Sequence, residues 1–243
     1  MLGKTHQVGG VCAALVMSTY ILKTPSNTLD FILLGSLLVS SDLGGLIPDI
    51  DLPESTIGKI FPRLSKTINT IGEKLNPNSS QKNSGHRFIT HTLYLYLILI
   101  PLLLILLNTL KGQALYLFNV FIITTPIAII TYLYFSLITK ITMLKIKRRP
   151  PIWIHLFLFY IGFYIILKHV TFIDMLSYIT ILGLAIGLIS HLFLDSLTKT
   201  GIPILYPITK KKFRLLKLTT GETDNYIILI LILLTILFMY FKL

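Results

Sequence analysis

The chain has 243 residues, of which 53% are hydrophobic and only 13% charged, and its mean hydropathy is +0.78. That apolar share excludes an ordinary soluble domain and predicts an all-α integral membrane protein. A net charge of +12 would suggest a nucleic-acid partner in a soluble domain. In a membrane chain its distribution decides instead, and no nucleic acid is expected.

In chain order, apolar runs occupy residues 8–22, 29–46, 88–110, 115–139, 153–167, 172–197 and 226–241. Each approaches the roughly 20 residues needed to cross about 30 Å of hydrocarbon. The pattern predicts about seven hydrophobic helices in a single multi-pass membrane domain over residues 1–243. The first run is short and Gly162 interrupts the fifth, so these two are open to a tilted or re-entrant reading. One lysine stands ahead of the first run and no small-x-small site follows it, which argues against a cleaved signal peptide. Cys12 is the only cysteine; it forms no internal disulfide and reads as a plain buried thiol.

With seven crossings, Lys4, six Lys/Arg in residues 47–87, five in 140–151 and six in 198–225 share one side, against Lys23, Lys111, Lys168 and Lys242 on the other. The positive-inside rule makes the first side cytoplasmic, with the N-terminus there and anionic membrane lipids as neighbours.

Two polar segments fall on that side. The insert 47–87 carries the breakers Pro48, Pro53, Pro62 and Pro77, and within it residues 57–75 place apolar side chains three and four apart, between Lys59, Arg63, Lys66 and Lys74. That spacing predicts an amphipathic helix lying on the cytoplasmic leaflet or packed on the protein's own loops. The second segment is the basic loop 198–225, in which residues 209–220 suggest a hairpin.

The ionisable residues collect where apolar runs meet these loops: His6; Asp49 and Asp51 after Pro48; His86, Arg87 and His91; and His191 with Asp195. Such groups near a bilayer are costly unless paired or coordinated, so a buried polar site is expected at the cytoplasmic helix ends. His191 and Asp195 are four apart and share one helix face. Asp49 and Asp51 flank one residue between prolines, where alternate carboxylates reach a common side and bind hard cations or bridge two metals. His86 and His91, five apart, point about 140° from each other on a straight helix; a helix starting near Phe88 or Ile89 leaves His86 in the loop, with Gly85 allowing it to fold back. Arg87 reads as an oxyanion clamp or as a positive-inside anchor. His6, just ahead of the first run, completes a set that suits Zn, Mn or Fe. Asp42 and Glu54 are second-layer candidates, whereas His155 and His169 read as interfacial residues.

The motifs Pro48-Asp49-Ile50-Asp51-x-Pro53-x-Ser55, Gly85-His86-Arg87-x-x-Thr90-His91-Thr92 and Ser190-His191-x-x-x-Asp195-x-x-Thr198-x-x-Gly201-x-Pro203, with His6 ahead of them, closely resemble those of the YdjM-like family of bacterial inner-membrane metal-dependent hydrolases, some members of which are linked to LexA and the DNA-damage response. The resemblance runs along nearly the whole chain. It implies a metal site of His6, Asp49, Asp51, His86, His91, His191 and Asp195. This chain departs from the family pattern at Leu52, where many members have histidine, and at Phe88, where they have glycine. Glu222 or Asp224 is the candidate counterpart of a late family glutamate.

The function expected is therefore hydrolysis at the cytoplasmic membrane surface, dependent on one or two divalent ions, Zn or Mn first. Asp49 or Asp51 would bridge metals or accept a proton, and Arg87 would stabilise developing negative charge. A phosphoester, in a small molecule or a lipid, is the preferred substrate class. The alternatives are a stress-response membrane scaffold without catalysis, and a metal-ion transporter.

Overall fold

In the computed structural model, residues 2–22, 25–75, 89–141, 151–209 and 211–242 are described. Nine α-helices are found among them: α1 (Gly3–Ile21), α2 (Thr28–Gly44), α3 (Thr56–Ile60), α4 (Pro62–Leu75), α5 (Leu93–Thr109), α6 (Gly112–Ile141), α7 (Ile152–Leu167), α8 (Ile173–Ser196) and α9 (Asp224–Lys242), with a 3₁₀ turn at Ile47–Asp51. The fold is all-helical as expected. Among the described residues, four stretches have the length and apolarity to cross a membrane: Thr28–Asp51, Gly112–Thr139, Ile173–Ser196 and Asp224–Lys242. The apolar helices α5 and α7 are shorter, at 17 and 16 residues.

The centre of the bundle is α1, α2 and α8. Between lipid-facing helices there is little hydrophobic drive to associate, because hydrocarbon is as apolar as leucine, so close packing of small residues carries the contact. A Cβ built on Gly187 of α8 would lie 2.1 Å from the Ser41 carbonyl oxygen of α2, a distance only glycine tolerates. Ser41 Oγ donates to the Gly10 carbonyl of α1 at 2.8 Å, and Ser36 and Thr180 share a hydroxyl contact of 2.7 Å between α2 and α8. Leu33, Leu37, Ile179 and Ile186 fill the spaces between these contacts.

Four local expectations are corrected. First, α1 begins at Gly3, so His6 sits inside the helix rather than ahead of it. Second, the expected single helix over 57–75 is two: Phe61 ends α3 and Pro62 opens α4, since proline lacks the N–H and its ring clashes with the preceding turn. Third, the helix expected to start near Phe88 or Ile89 starts at Leu93 with Thr92 as its N-cap. Fourth, the suggested hairpin over 209–220 is replaced by pairing with the segment after α8: Ile202 and Phe213 exchange backbone bonds of 3.1 and 2.7 Å, and Lys199 N donates to Leu218 O at 3.1 Å. Gly162 causes no break, and α7 runs through it.

On α4 the buried residues are Ser65, Asn69 and Gly72, while Leu64, Ile71 and Leu75 are exposed. The small face meets the 3₁₀ turn and the large apolar side chains point away.

Candidate metal centre

The packing of α1, α2 and α8 sets three chain segments at one level. A Cβ on Gly45, the residue that caps α2, would lie 2.5 Å from the His6 carbonyl oxygen. This contact brings His6 of α1 beside the end of α2, and the His191 ring stacks on the His6 ring with centroids 3.6 Å apart. From Gly45 the chain runs directly into the 3₁₀ turn that carries Asp49 and Asp51, with Pro48 in its first positions. Ser55 fixes that turn: its hydroxyl donates to the Asp49 carbonyl at 2.7 Å and accepts from Gly58 N at 2.9 Å, capping α3 at the same time. The fourth segment is the turn before α5, tied down by Leu93 N donating to the Ile204 carbonyl at 3.0 Å.

These four segments bring His6, Asp49, Asp51, His91, His191 and Asp195 together, all six buried. His91 Nε2 lies 3.1 Å from His191 Nε2 and 3.2 Å from Asp195 Oδ2. Asp49 Oδ1 is 3.8 Å from both of those nitrogens, and Asp195 Oδ2 is 3.7 Å from His191 Nε2. The second oxygen of Asp195, Oδ1, is 3.3 Å from His6 Nε2. Asp195 thus divides its carboxylate between two histidines. Two groups of three with metal-ligand spacing result, His6/His191/Asp195 and Asp49/His91/His191.

A second layer orients the rings. His191 Nδ1 is 2.7 Å from the Gly45 carbonyl oxygen; a carbonyl only accepts, so Nδ1 carries the proton, and in the neutral ring the Nε2 lone pair faces the cluster. The Thr90 hydroxyl donates to Asp51 and is 3.1 Å from His91 Nδ1. Having spent its one hydrogen on Asp51, it accepts from Nδ1–H, and His91 Nε2 also turns its lone pair inward. Tyr96 OH donates to the Thr90 carbonyl and Thr198 Oγ1 donates to the Asp195 carbonyl at 2.7 Å. Asp51 reaches His91 on its outer side, 3.9 Å from Nδ1, and lies outside both groups of three.

With both rings neutral, the two Nε2 lone pairs 3.1 Å apart would repel one another, and a cation between them would remove that repulsion. The donor chemistry fits a divalent ion: ligand atoms about 2.0 to 2.3 Å from one metal lie roughly 3 to 4 Å from each other, the range these atoms occupy. His6 Nδ1 is in addition buried with no hydrogen-bond partner among the described residues. The backbone and hydroxyl contacts on the outer ring nitrogens are those that metal-binding histidines use to fix their tautomer.

Other sequence candidates lie elsewhere. His86 and Arg87, and with them Phe88, fall outside the described residues. His155 contacts Thr131 Oγ1 at 3.1 Å on the α6/α7 side. His169 is exposed just before the start of α8, at the end opposite the cluster. Asp42 is buried and accepts from Tyr134 OH at 3.3 Å, and Glu54 is exposed. Asp224 clamps the start of α1, accepting from Leu2 N at 2.9 Å and from the Thr5 hydroxyl at 2.5 Å; it thus holds the residue before His6 but belongs to neither group of three. Sequence reasoning missed Gly45, Thr90 and Tyr96 as supports. Thr90 was legible within its motif, whereas the Gly45 carbonyl leaves no trace in a sequence.

Fold and site together define a multi-helix membrane protein with a buried His/Asp cluster at one end of its bundle. The chain belongs to the YdjM inner membrane protein family, whose model matches residues 1–139 and 130–242. It is also similar to the uncharacterized protein YvsG of Bacillus subtilis, with 25% identity over 229 residues covering 94% of this chain and 88% of that protein. No solved structure gives a significant match.

Proposed function

We propose that this protein is a metal-dependent hydrolase of the bacterial inner membrane, acting at the cytoplasmic surface on a phosphoester. The observation that carries the reading is the inward convergence of His91 Nε2 and His191 Nε2 on Asp49 and Asp195, at spacings that suit ligands of one ion. His91, His191, Asp49 and Asp195 would hold the ion, with His6 on the second oxygen of Asp195; one or two ions of Zn or Mn suit this donor set. When bound, such an ion lowers the pKa of a coordinated water and polarises the scissile group.

The chain's own groups do the rest. Asp49 accepts the proton of the attacking water, whose oxygen adds to phosphorus as the bond to the ester oxygen breaks, and the leaving alkoxide takes up a proton. Arg87 is assigned to the developing negative charge. Asp51, through Thr90, positions His91. The charge asymmetry of the loops supports an N-terminus and a site on the cytoplasmic side. The cluster joins the first turns of α1 to the last turns of α8, at helix ends rather than mid-span, which favours surface chemistry over a transport site.

Metal analysis of the purified, detergent-solubilised protein beside an Asp49→Ala/His191→Ala variant tests the reading. About one or two divalent ions per wild-type chain and a loss in the variant are expected. Equal metal content in the two would overturn it and leave the non-catalytic scaffold.

A further inference from the structure

Alongside the cluster runs a cavity of about 870 Å³ between α1, α8 and α9, within the size range of small-molecule sites. Its walls are almost wholly apolar, and include Gly9 and Met17 of α1, Ser190 and Phe193 of α8, and Leu234 and Phe238 of α9. The Thr235 hydroxyl, also in the wall, is turned onto its own helix, donating to the Leu231 carbonyl at 2.8 Å. One end lies beside the cluster: the wall residues Ser190 and Leu194 directly precede His191 and Asp195 in α8, and Gly9 lies one turn beyond His6 in α1. The other end lies toward Tyr20, whose ring neighbours Phe238 and carries Lys242 over its face at 3.7 Å. From Gly9 to Met17 the wall is about 12 Å long at 1.5 Å per residue. The third wall, α9, is of span length and only 11% of its apolar window is buried, so in a bilayer this wall would border hydrocarbon.

We infer that this groove holds an acyl chain of the substrate, so that the hydrolysed phosphoester is that of a membrane phospholipid whose headgroup sits at the His/Asp cluster. An apolar slot of this length excludes water and offers a hydrocarbon chain continuous contact, while its end beside the cluster carries Ser190. A water-soluble phosphoester would leave the slot unused. This inference rests on the hydrolase reading for the chemistry but not for the binding.

The experiment is photo-crosslinking in nanodiscs, using phosphatidylethanolamine with a diazirine in mid-chain. Labelling is expected to concentrate on residues 9–17, 186–194 and 231–241, above that of Ile165 on α7, which is exposed to the surrounding lipid. Filling the groove with Leu234→Trp, or separately with Val16→Trp, is expected to remove the excess while Ile165 labelling persists. Labelling of the groove no greater than that of Ile165 overturns the inference, whatever the metal content. Headgroup release that survives both groove-filling variants overturns it as the substrate site. Groove labelling in a protein that proves free of metal instead removes the hydrolase reading and leaves a lipid-binding groove.

Discussion

His91 and His191, one hundred residues apart in the chain, place their Nε2 atoms 3.1 Å from each other. The outer nitrogen of each ring is engaged, one by the Gly45 carbonyl and the other by Thr90. In the neutral state neither ring has a hydrogen to offer the other. A cation between them would turn that repulsion into a link between α8 and the turn before α5.

Metal removal is therefore expected to destabilise the protein. An ion present at 100 to 1,000 times its Kd stabilises the folded state by about 3 to 4 kcal/mol. A chelator should lower the melting temperature of wild-type protein in detergent and leave that of His191→Ala almost unmoved. A chelator-insensitive wild type would count against a bound ion.

Thr90 is expected to act through His91. Thr90→Val keeps the shape but removes the hydroxyl that links Asp51 to His91 Nδ1, and losing such an outer-layer partner costs about 10 to 100-fold in metal affinity. Thr90→Ser should restore most of it. Metal titration followed by competition with a chromophoric chelator reads the difference, and unchanged affinity in the valine variant would remove Thr90 and Asp51 from the account.

Asp49→Asn preserves size and polarity but removes the charge that a divalent ion or a proton acceptor needs. Activity should be lost while membrane insertion stays near normal. Lys66→Gln and Lys74→Gln on α4 should weaken contact with an anionic leaflet by about 1 kcal/mol per charge and spare the chemistry. In a complementation assay, full function of the aspartate variant together with failure of the lysine variants would favour the scaffold instead.

For topology, a cysteine replacing His169 should react with an impermeant reagent from outside the cell, in a background with Cys12 replaced. A cysteine at Ser80 should stay unlabelled until the membrane is opened. The opposite result would move the cluster to the outer surface.

The residues that converge were legible because their chemistry is improbable in a chain of this hydropathy. His6, Asp49, Asp51, His91, His191 and Asp195 each stand out against apolar neighbours, and the i, i+4 spacing of His191 and Asp195 fixes a shared face whatever the rest of the fold does. Helix starts were less legible. The start of α5 at Leu93 rather than near Phe88 depends on Tyr96 reaching back to the Thr90 carbonyl and on Leu93 N finding Ile204, partners that local propensity does not contain. The break at Pro62 was visible in the sequence, but the apolar periodicity running across it outweighed it.

The sequence by itself determined the membrane class, the family, and which side chains would need one another, because hydropathy, charge asymmetry and residue type are properties of the chain alone. Only the tertiary structure decided how those side chains are used. Whether His191 offers Nε2 or Nδ1 is settled by a carbonyl of α2, and the approach of α1, α2 and α8 that brings His6 to Asp195 depends on glycines meeting backbone oxygens. The apolar groove beside the cluster likewise exists only where three helices fail to fill the space between them, a matter of volumes in three dimensions that no periodicity along the chain records.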